Sequence, residues 1–200
     1  YHLEKALYLA TSGRPGPCWL DIPIDVQASP IEVSTLSGYD PAEDALSWNM
    51  DQIGQVCRVI IERLKHSVRP VILAGSGVRH ARALDIFDKV IHKLGIPVTT
   101  AWTHDLLASD DPLFCGRPGT IGERAGNFAV QNADTLLVIG SRLNIRQVSY
   151  NWTAFARCAY KIQVDVDPAE LNKPLVKPDL ALHCDARVFL EEFNRQLDAA

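Results

Sequence analysis

The feature of this sequence that most constrains its fold is a regular alternation of short apolar segments and amphipathic segments between residues 50 and 200. Short segments rich in apolar residues predict buried strands, and they fall at residues 71–74, 97–101, 135–139, 160–166 and 180–184. Apolar side chains at helical spacing predict helices, as in the stripes Ile53, Val56, Ile60, Leu64 and Leu84, Phe87, Val90, Ile91, Leu94. Strands that alternate with helices are typical of crossover units. We therefore expect an α/β fold, a Rossmann-like doubly wound parallel sheet with helices on both faces.

The first 49 residues have a different pattern. A helical stripe through Leu3 and Leu7 ends at Gly13, and the apolar run at residues 18–22 predicts a short strand. Residues 28–49 lose this periodicity and contain several Ser, Pro and Gly, which is typical of a linker. We therefore divide the chain into a helix–strand remnant (1–27), a linker (28–49) and the Rossmann-like domain (50–200). Because the chain begins at Tyr1 and its only methionine is Met50, we expect it to be excised from a larger protein.

Composition and charge exclude several classes of function. The 20 basic residues are outnumbered by 24 acidic ones and form no basic run, so we expect no nucleic-acid partner. No apolar run reaches the roughly 18 residues that a membrane helix needs, so we expect no membrane partner. The five cysteines are odd in number and form no C-x-x-C pair, which favours reduced thiols in a cytoplasmic protein. No histidines or cysteines cluster at metal-ligand spacing, so no metal site is predicted.

Candidate binding residues follow the predicted strands, because ligands of open parallel sheets bind beyond the carboxyl ends of the strands. The first strand is followed by Gly75-Ser76-Gly77, whose backbone N–H groups suit a phosphate. His80 stands where a dinucleotide-binding fingerprint has its third glycine, which disfavours ordinary NAD binding. The turn is therefore a candidate ligand loop, with a tight strand-to-helix turn as the alternative.

Charged residues follow two later strands. Arg142 and Arg146 come after the third strand, and in a helix they would share one face and suit a pyrophosphate. The alternative is a pair of solvated arginines with carboxylate partners. Asp165 and Asp167 flank the end of the fourth strand, where they could accept hydrogen bonds from ribose or ribityl hydroxyls. The alternative for Asp167, and for Asp185 after the last strand, is a helix N-cap.

Four segments of the sequence carry a resemblance to a known family. Residues 10–26, Ala-Thr-Ser-Gly-Arg-Pro-Gly-Pro-Cys-Trp-Leu-Asp-Ile-Pro-Ile-Asp-Val, resemble the end of the pyrimidine-binding domain of thiamine-diphosphate enzymes of the acetolactate synthase type. Residues 69–77, 140–147 and 164–168 resemble successive signatures of its central domain, namely Arg-Pro-Val-Ile-Leu-Ala-Gly-Ser-Gly, Gly-Ser-Arg-Leu-Asn-Ile-Arg-Gln and Val-Asp-Val-Asp-Pro. The segments occur in the family's order and span most of the chain.

The resemblance implies a three-domain enzyme that binds thiamine diphosphate and Mg²⁺ between its first and third domains. It also implies decarboxylation of a 2-oxo acid, transfer of the two-carbon unit to an acceptor, and assembly as a homodimer or homotetramer. The family's catalytic glutamate and its Gly-Asp-Gly metal motif belong to the pyrimidine- and pyrophosphate-binding domains, outside the segments matched here. We therefore expect the 200-residue chain to contain no catalytic or metal-binding residue and to be inactive alone.

In acetolactate synthases the central domain carries FAD in a largely structural role. By resemblance, the cofactor-binding residues are Arg14, Gly75, Ser76, Gly77, Thr99, Trp102, Gly119, Thr120, Gly140, Arg142, Arg146, Asp165, Val166 and Asp185. Two hypotheses follow. The chain is the FAD- or nucleotide-binding central domain of an acetolactate-synthase-like enzyme, or it is a ligand-free structural or ADP-sensing regulatory module of a related 2-oxo acid decarboxylase.

Overall fold

The computed structural model describes residues 1–199 and divides into two compact units between Ser47 and Trp48. Ala200, the last residue of the predicted domain, lies outside the described residues. The first unit contains helices α1 (His2–Thr11) and α2 (Ile24–Gln27) and short 3-10 helices at Val33–Thr35 and Pro41–Asp44. Helix α1 confirms the prediction for this segment.

The strand predicted at residues 18–22 is wrong. A short strand is stable only when it pairs with a neighbour, and residues 1–47 contain no strand in the described structure. Part of the predicted linker packs on α1: the Glu4 carboxylate accepts a hydrogen bond from the Tyr39 N–H at 2.7 Å, and Lys5 pairs with Asp44 at 2.7 Å. The assignment of residues 1–27 to a separate domain stays a prediction.

The second unit is built on a five-stranded parallel sheet. Its strands are β1 (Pro70–Ala74), β2 (Val98–Thr100), β3 (Thr135–Ile139), β4 (Tyr160–Asp165) and β5 (Leu180–His183). They lie in the order β2-β1-β3-β4-β5, and all four neighbouring pairs are parallel. The outer side of β2 is occupied by residues 113–116, since Val98 accepts a hydrogen bond from Cys115 N–H and donates one to the Leu113 carbonyl, both at 2.8 Å.

Helices cover both faces of this sheet. They are α3 (Met50–Lys65), α4 (Gly77–His80), α5 (Leu84–Leu94), α6 (Arg124–Asn132), α7 (Ile145–Val148), α8 (Pro168–Leu171) and α9 (Ala186–Leu197), with a 3-10 turn at Trp152–Ala154. One buried cluster joins α3, α5 and α9 to side chains such as Ile72 and Leu137. A second joins α6 and α7 to the opposite face, at Leu73 and Val138. The prediction of a doubly wound parallel α/β fold is confirmed.

Helices α3 and α9 approach closely at Gly54, inside α3. A methyl group added there would lie 3.2 Å from Glu192 Oε1 of α9. Gln196 Nε2 donates a hydrogen bond to the Gly54 carbonyl at 2.9 Å. Gln196 is 9% exposed, and its Oε1 has no hydrogen-bond partner in the described structure. A glycine within a helix costs about 1 kcal/mol relative to alanine, and here it makes room for the polar contact between the helices.

The turns that follow β1 and β3 pack backbone against backbone. Gly75 N–H donates to the Ile139 carbonyl and Gly77 N–H to the Gly140 carbonyl, both at 2.9 Å. A methyl group added to Gly77 would lie 2.6 Å from the Gly140 Cα. Gly140 has φ +58°, a conformation that glycine adopts without strain. These three glycines are therefore required by the contact between the two turns.

We expect Gly77→Ala to lower the free energy of unfolding by about 2–3 kcal/mol, because its added methyl group meets backbone atoms that cannot move independently. Gly95→Ala is the matched control: Gly95 has φ +60° but no atom within 4 Å of its added methyl group. The control should lose only the cost of a left-handed alanine, about 1 kcal/mol. Urea unfolding of both variants tests this, and equal losses would contradict the close-contact explanation.

All five cysteines are free in the structure, and they differ in accessibility. Cys18 and Cys158 are exposed, whereas Cys57 and Cys184 are fully buried. Burial raises the pKa of both the Cys57 and the Cys184 thiols to about 12. Thiolate, the reactive form, is therefore scarce at these two positions.

We expect native alkylation at mildly alkaline pH to modify Cys18 and Cys158 rapidly and to spare Cys57 and Cys184 until the domain unfolds. Mass spectrometry of digested protein, with and without denaturant, measures the modified sites. The denatured, unreduced protein should show five modified thiols. Rapid native labelling of Cys57 or Cys184 would contradict the buried positions, and a protected pair after denaturation would contradict the reduced state.

Candidate functional site

The candidate site lies where the order of the strands reverses. The chain passes from β1 to β2 on one side and then returns to β3 on the other side of β1. In open parallel sheets this switch point leaves a crevice at the carboxyl ends of the strands, where ligands bind. The turns at residues 75–77 and 140–146 follow β1 and β3, so the structure brings these two predicted segments together.

The glycine turn after β1 is closed by its own hydrogen bonds. The N–H groups of Gly75 and Gly77 already donate to carbonyls of the neighbouring turn. They are therefore not free to bind a phosphate while that contact is intact. Ser76 is the N-cap residue of α4 but makes no side-chain capping bond. The alternative for Gly75 and Gly77, a tight strand-to-helix turn, accounts for both.

The two arginines after β3 do not lie on one helical face as predicted. Helix α7 begins at Ile145, after Arg142, and the side chain of Asn144 caps it by accepting from Arg146 N–H at 2.9 Å. Leu143 has φ +50° and is buried, so the chain turns sharply before the helix. The i, i+4 pairing is wrong because it requires helix from residue 142.

Both arginine side chains are exposed. Within residues 1–199 neither guanidinium group has a hydrogen-bond or ion-pair partner, although the Arg142 carbonyl accepts a hydrogen bond from Lys173. The carboxylate partners of the alternative interpretation are therefore not found in the described part of the chain. The turn therefore presents two cations at the switch point that are unpaired within the described residues.

A buried polar network supports this turn, and no sequence pattern predicted it. Ser141 Oγ donates to Gln147 Oε1 at 3.1 Å, and Gln163 Nε2 of β4 donates to the Ser141 carbonyl at 3.2 Å. All three residues are less than 5% exposed. Gln147 Nε2 and Gln163 Oε1 have no partner among the described residues. The only sequence signal for this network is Gln163, which lies between Ile162 and Val164 in the predicted strand at 160–166.

The candidate residues in β2 and just after it are divided between the sheet and its surface. Thr99 is fully buried, and its hydroxyl donates to the Ile72 carbonyl at 3.1 Å, so it is part of the sheet. The hydroxyls of Thr100 and Thr103 are buried without a partner in the described structure, and sequence reasoning missed both. Trp102 is 46% exposed. The side chain of Trp102 is therefore accessible from solvent, whereas that of Thr99 is not.

Gly119 and Thr120 lie against the end of the arginine turn. Thr120 N–H donates to the Arg146 carbonyl at 2.8 Å. Gly119 has φ +141°, and a methyl group added there would collide with the same carbonyl. Asn127 of α6 holds Gly119 in place, accepting from its N–H at 2.9 Å and donating to its carbonyl at 3.1 Å. The structure therefore brings Gly119, Thr120 and Arg146 together.

The acidic candidates are largely occupied. The Asp165 carboxylate, 8% exposed, accepts from Asp167 N–H at 3.0 Å. Asp167 caps α8 by accepting from Ala169 N–H at 2.9 Å. Asp185 caps α9 through Arg187 N–H at 2.8 Å. The N-cap alternatives for Asp167 and Asp185 are confirmed.

The two predicted cofactor contacts not yet described are Val166 and Arg14. Nε2 of His183 lies 3.0 Å from the carbonyl of Val166. Arg14 belongs to the first unit and is described apart from this site, so its role stays a prediction. The cofactor-binding roles of all the other predicted residues likewise stay predictions.

Among residues 1–199, no group of three or more His, Cys, Asp or Glu side chains is placed to hold a metal ion. Over the same residues, no helix combines the length and apolar character needed to cross a membrane.

Comparisons with known proteins agree with this architecture. Residues 57–193 match the family model described as "Thiamine pyrophosphate enzyme, central domain". The chain is 33% identical to a probable acetolactate synthase large subunit of Methanococcus aeolicus, over 98% of this chain and 33% of that protein. It is 34% identical to the acetolactate synthase large subunit of Lactococcus lactis, over 94% of this chain and 32% of that protein.

A solved structure shows the same fold. The crystal structure of benzoylformate decarboxylase from Polynucleobacter necessarius superposes with a TM-score of 0.72 at 23% identity, covering 97% of this chain and 35% of that one. The chain thus spans about a third of the length of the curated relatives and of the structure that it matches. The chain belongs to the thiamine pyrophosphate enzymes and carries the central domain of that family.

Proposed function

We propose that this chain is the nucleotide-binding central domain of an acetolactate-synthase-like enzyme, and that it binds FAD or a related adenine nucleotide. The observation that carries the proposal is the pair of exposed guanidinium groups of Arg142 and Arg146 at the switch point of the sheet, which have no partner among residues 1–199. Guanidinium groups donate hydrogen bonds in pairs to phosphate oxygens. A pyrophosphate is the part of FAD that such a pair fits.

The surrounding residues fit FAD in part. Arg142 and Arg146 would hold the pyrophosphate, and the exposed ring of Trp102 would supply a surface for stacking. The Gly75 and Gly77 N–H groups are already bonded, so we infer that side chains, rather than the glycine turn, bind the phosphates. FAD would serve here as a bound, largely structural group.

The activity of the whole protein follows from the resemblance and from the relatives named acetolactate synthase. We propose that the whole protein binds thiamine diphosphate and Mg²⁺, decarboxylates a 2-oxo acid and transfers the two-carbon unit to an acceptor. Its partners would be its own pyrimidine- and pyrophosphate-binding domains and further copies of itself, as a homodimer or homotetramer in the cytoplasm. The 2-oxo acid and the acceptor are set by the other domains.

A second hypothesis is a ligand-free structural or ADP-sensing module of a related 2-oxo acid decarboxylase. It is favoured by the occupied groups at the site: Gly75 and Gly77 bond to the neighbouring turn, and the carboxylate of Asp185 caps α9. A domain with this arrangement could retain the fold for packing alone. FAD binding would support the first hypothesis, whereas binding of ADP without FAD, or of no nucleotide, would support the second.

We expect Arg142→Ala to weaken binding of FAD or ADP by roughly tenfold to a hundredfold, because it removes charge-assisted hydrogen bonds worth about 1.5–3 kcal/mol each. Arg146→Ala should weaken it similarly. Arg157→Ala is the matched control, since Arg157 is also exposed but precedes β4, at the opposite end of the strands. Calorimetry on the whole protein measures each affinity.

Two results would contradict this proposal. The first is a whole protein that purifies without nucleotide and binds neither FAD nor ADP at millimolar concentration, which would favour the structural module. The second is an equal loss of affinity in all three variants, which would indicate a general effect of positive charge.

We expect the 200-residue chain to show no decarboxylase or carboligase activity with added thiamine diphosphate and Mg²⁺, because no catalytic carboxylate or metal motif of the family is predicted in it. Turnover of pyruvate, measured for the chain and for the whole protein in parallel, tests this. Activity of the chain that disappears when thiamine diphosphate is omitted would overturn this view of its role.

A further inference from the structure

The five residues 142–146, which include both arginines, are closed at their two ends by one side-chain hydrogen bond. Ser141 precedes the segment and Gln147 follows it, and Ser141 Oγ donates to Gln147 Oε1 at 3.1 Å. A second bond anchors this closure to the sheet, since Gln163 Nε2 donates to the Ser141 carbonyl at 3.2 Å. We call these three residues the glutamine clasp.

The clasp lies in a part of the core that is otherwise apolar. Gln163 pairs in register with Val138 of β3, whose side chain belongs to the second buried cluster, as do Leu143 and Val148 beside the clasp. Gln163 is 1% exposed and Gln147 is 4% exposed. Each retains one amide atom without a partner among residues 1–199, which is unfavourable in a buried site. Packing alone would be better served by apolar side chains of the same size.

The hydrogen bonds of the clasp lie at the two ends of the backbone segment that carries Arg142 and Arg146. Arg142 is bonded covalently to Ser141, and Arg146 to Gln147, so both arginines are adjacent to clasp residues. Between them Leu143 has a left-handed conformation, φ +50°, which is disfavoured for leucine and needs support from its surroundings. Hydrogen bonds at both ends of the segment provide that support.

We propose that Gln147 and Gln163 are positioning residues, which hold the 142–146 turn so that its two guanidinium groups can bind one pyrophosphate together. This inference rests on the proposed nucleotide site. The glutamines touch no ligand themselves. They fix the distance between the arginines, and an affinity that depends on two simultaneous contacts depends on that distance.

The test uses Gln147→Met and Gln163→Met in the whole protein, since methionine keeps the length of the side chain but removes the amide. Gln196→Met is the matched control, because Gln196 is also buried, also hydrogen-bonded to a carbonyl and also has one open amide atom, but lies between α3 and α9. Affinity for FAD and ADP is measured by calorimetry, stability by urea unfolding, and local opening by hydrogen exchange of residues 140–148.

We expect both clasp variants to bind nucleotide about tenfold more weakly, which corresponds to about 1.4 kcal/mol. Exchange at residues 140–148 should be faster, with global stability no lower than in the control. Unchanged affinity and unchanged exchange would overturn the proposal, as would an equal loss of affinity in Gln196→Met.

The same experiments test the nucleotide site separately from the clasp. A wild-type protein that binds neither FAD nor ADP would refute the proposed function. The exchange measurement would then decide the local part of the inference. Faster exchange confined to residues 140–148 would support the positioning of the turn by the clasp, and unaltered exchange would overturn it.

Discussion

The contact between the turns that follow β1 and β3 is the constraint on which the site depends. Parallel strands that neighbour each other end side by side, so the chain leaving β1 must pass the chain leaving β3. Gly77 and Gly140 let the two backbones meet at a distance that any side chain would prevent. The position of Gly140 then fixes the position of Ser141, which begins the turn that carries Arg142 and Arg146.

This packing also limits which groups of the turns are available to an anion under the proposed function. In many nucleotide-binding folds a glycine turn after the first strand offers free N–H groups to phosphate. Here the N–H groups of Gly75 and Gly77 serve the contact between strands. Under the proposed function, recognition would therefore fall to long side chains on the next turn, which have more freedom and lose more entropy on binding. Such a site gains from any interaction that limits the freedom of the backbone carrying them.

The sequence predicted the elements well where burial alone determines them. β3 follows its prediction at residues 135–139, because four successive apolar residues after Thr135 suit a strand buried on both faces. The strand predicted at 18–22 does not form, because an apolar run does not show whether a partner strand is available. Thr99 and Thr100 show a similar limit. A strand of three residues is too short for its sequence to show which side chain points to which face of the sheet. The clasp joins residues 22 positions apart, and only the order of the strands reveals it.

The segment that borders β2 has a consequence for aggregation. The edge strand of an open sheet exposes unpaired backbone groups that can template pairing with another molecule. Residues 113–116 occupy those groups at Val98 and Thr100, although the segment forms only an isolated bridge with β2. Intermolecular pairing along this edge therefore requires the segment to detach first. The stability of this local loop, rather than that of the whole domain, sets how often the edge is exposed.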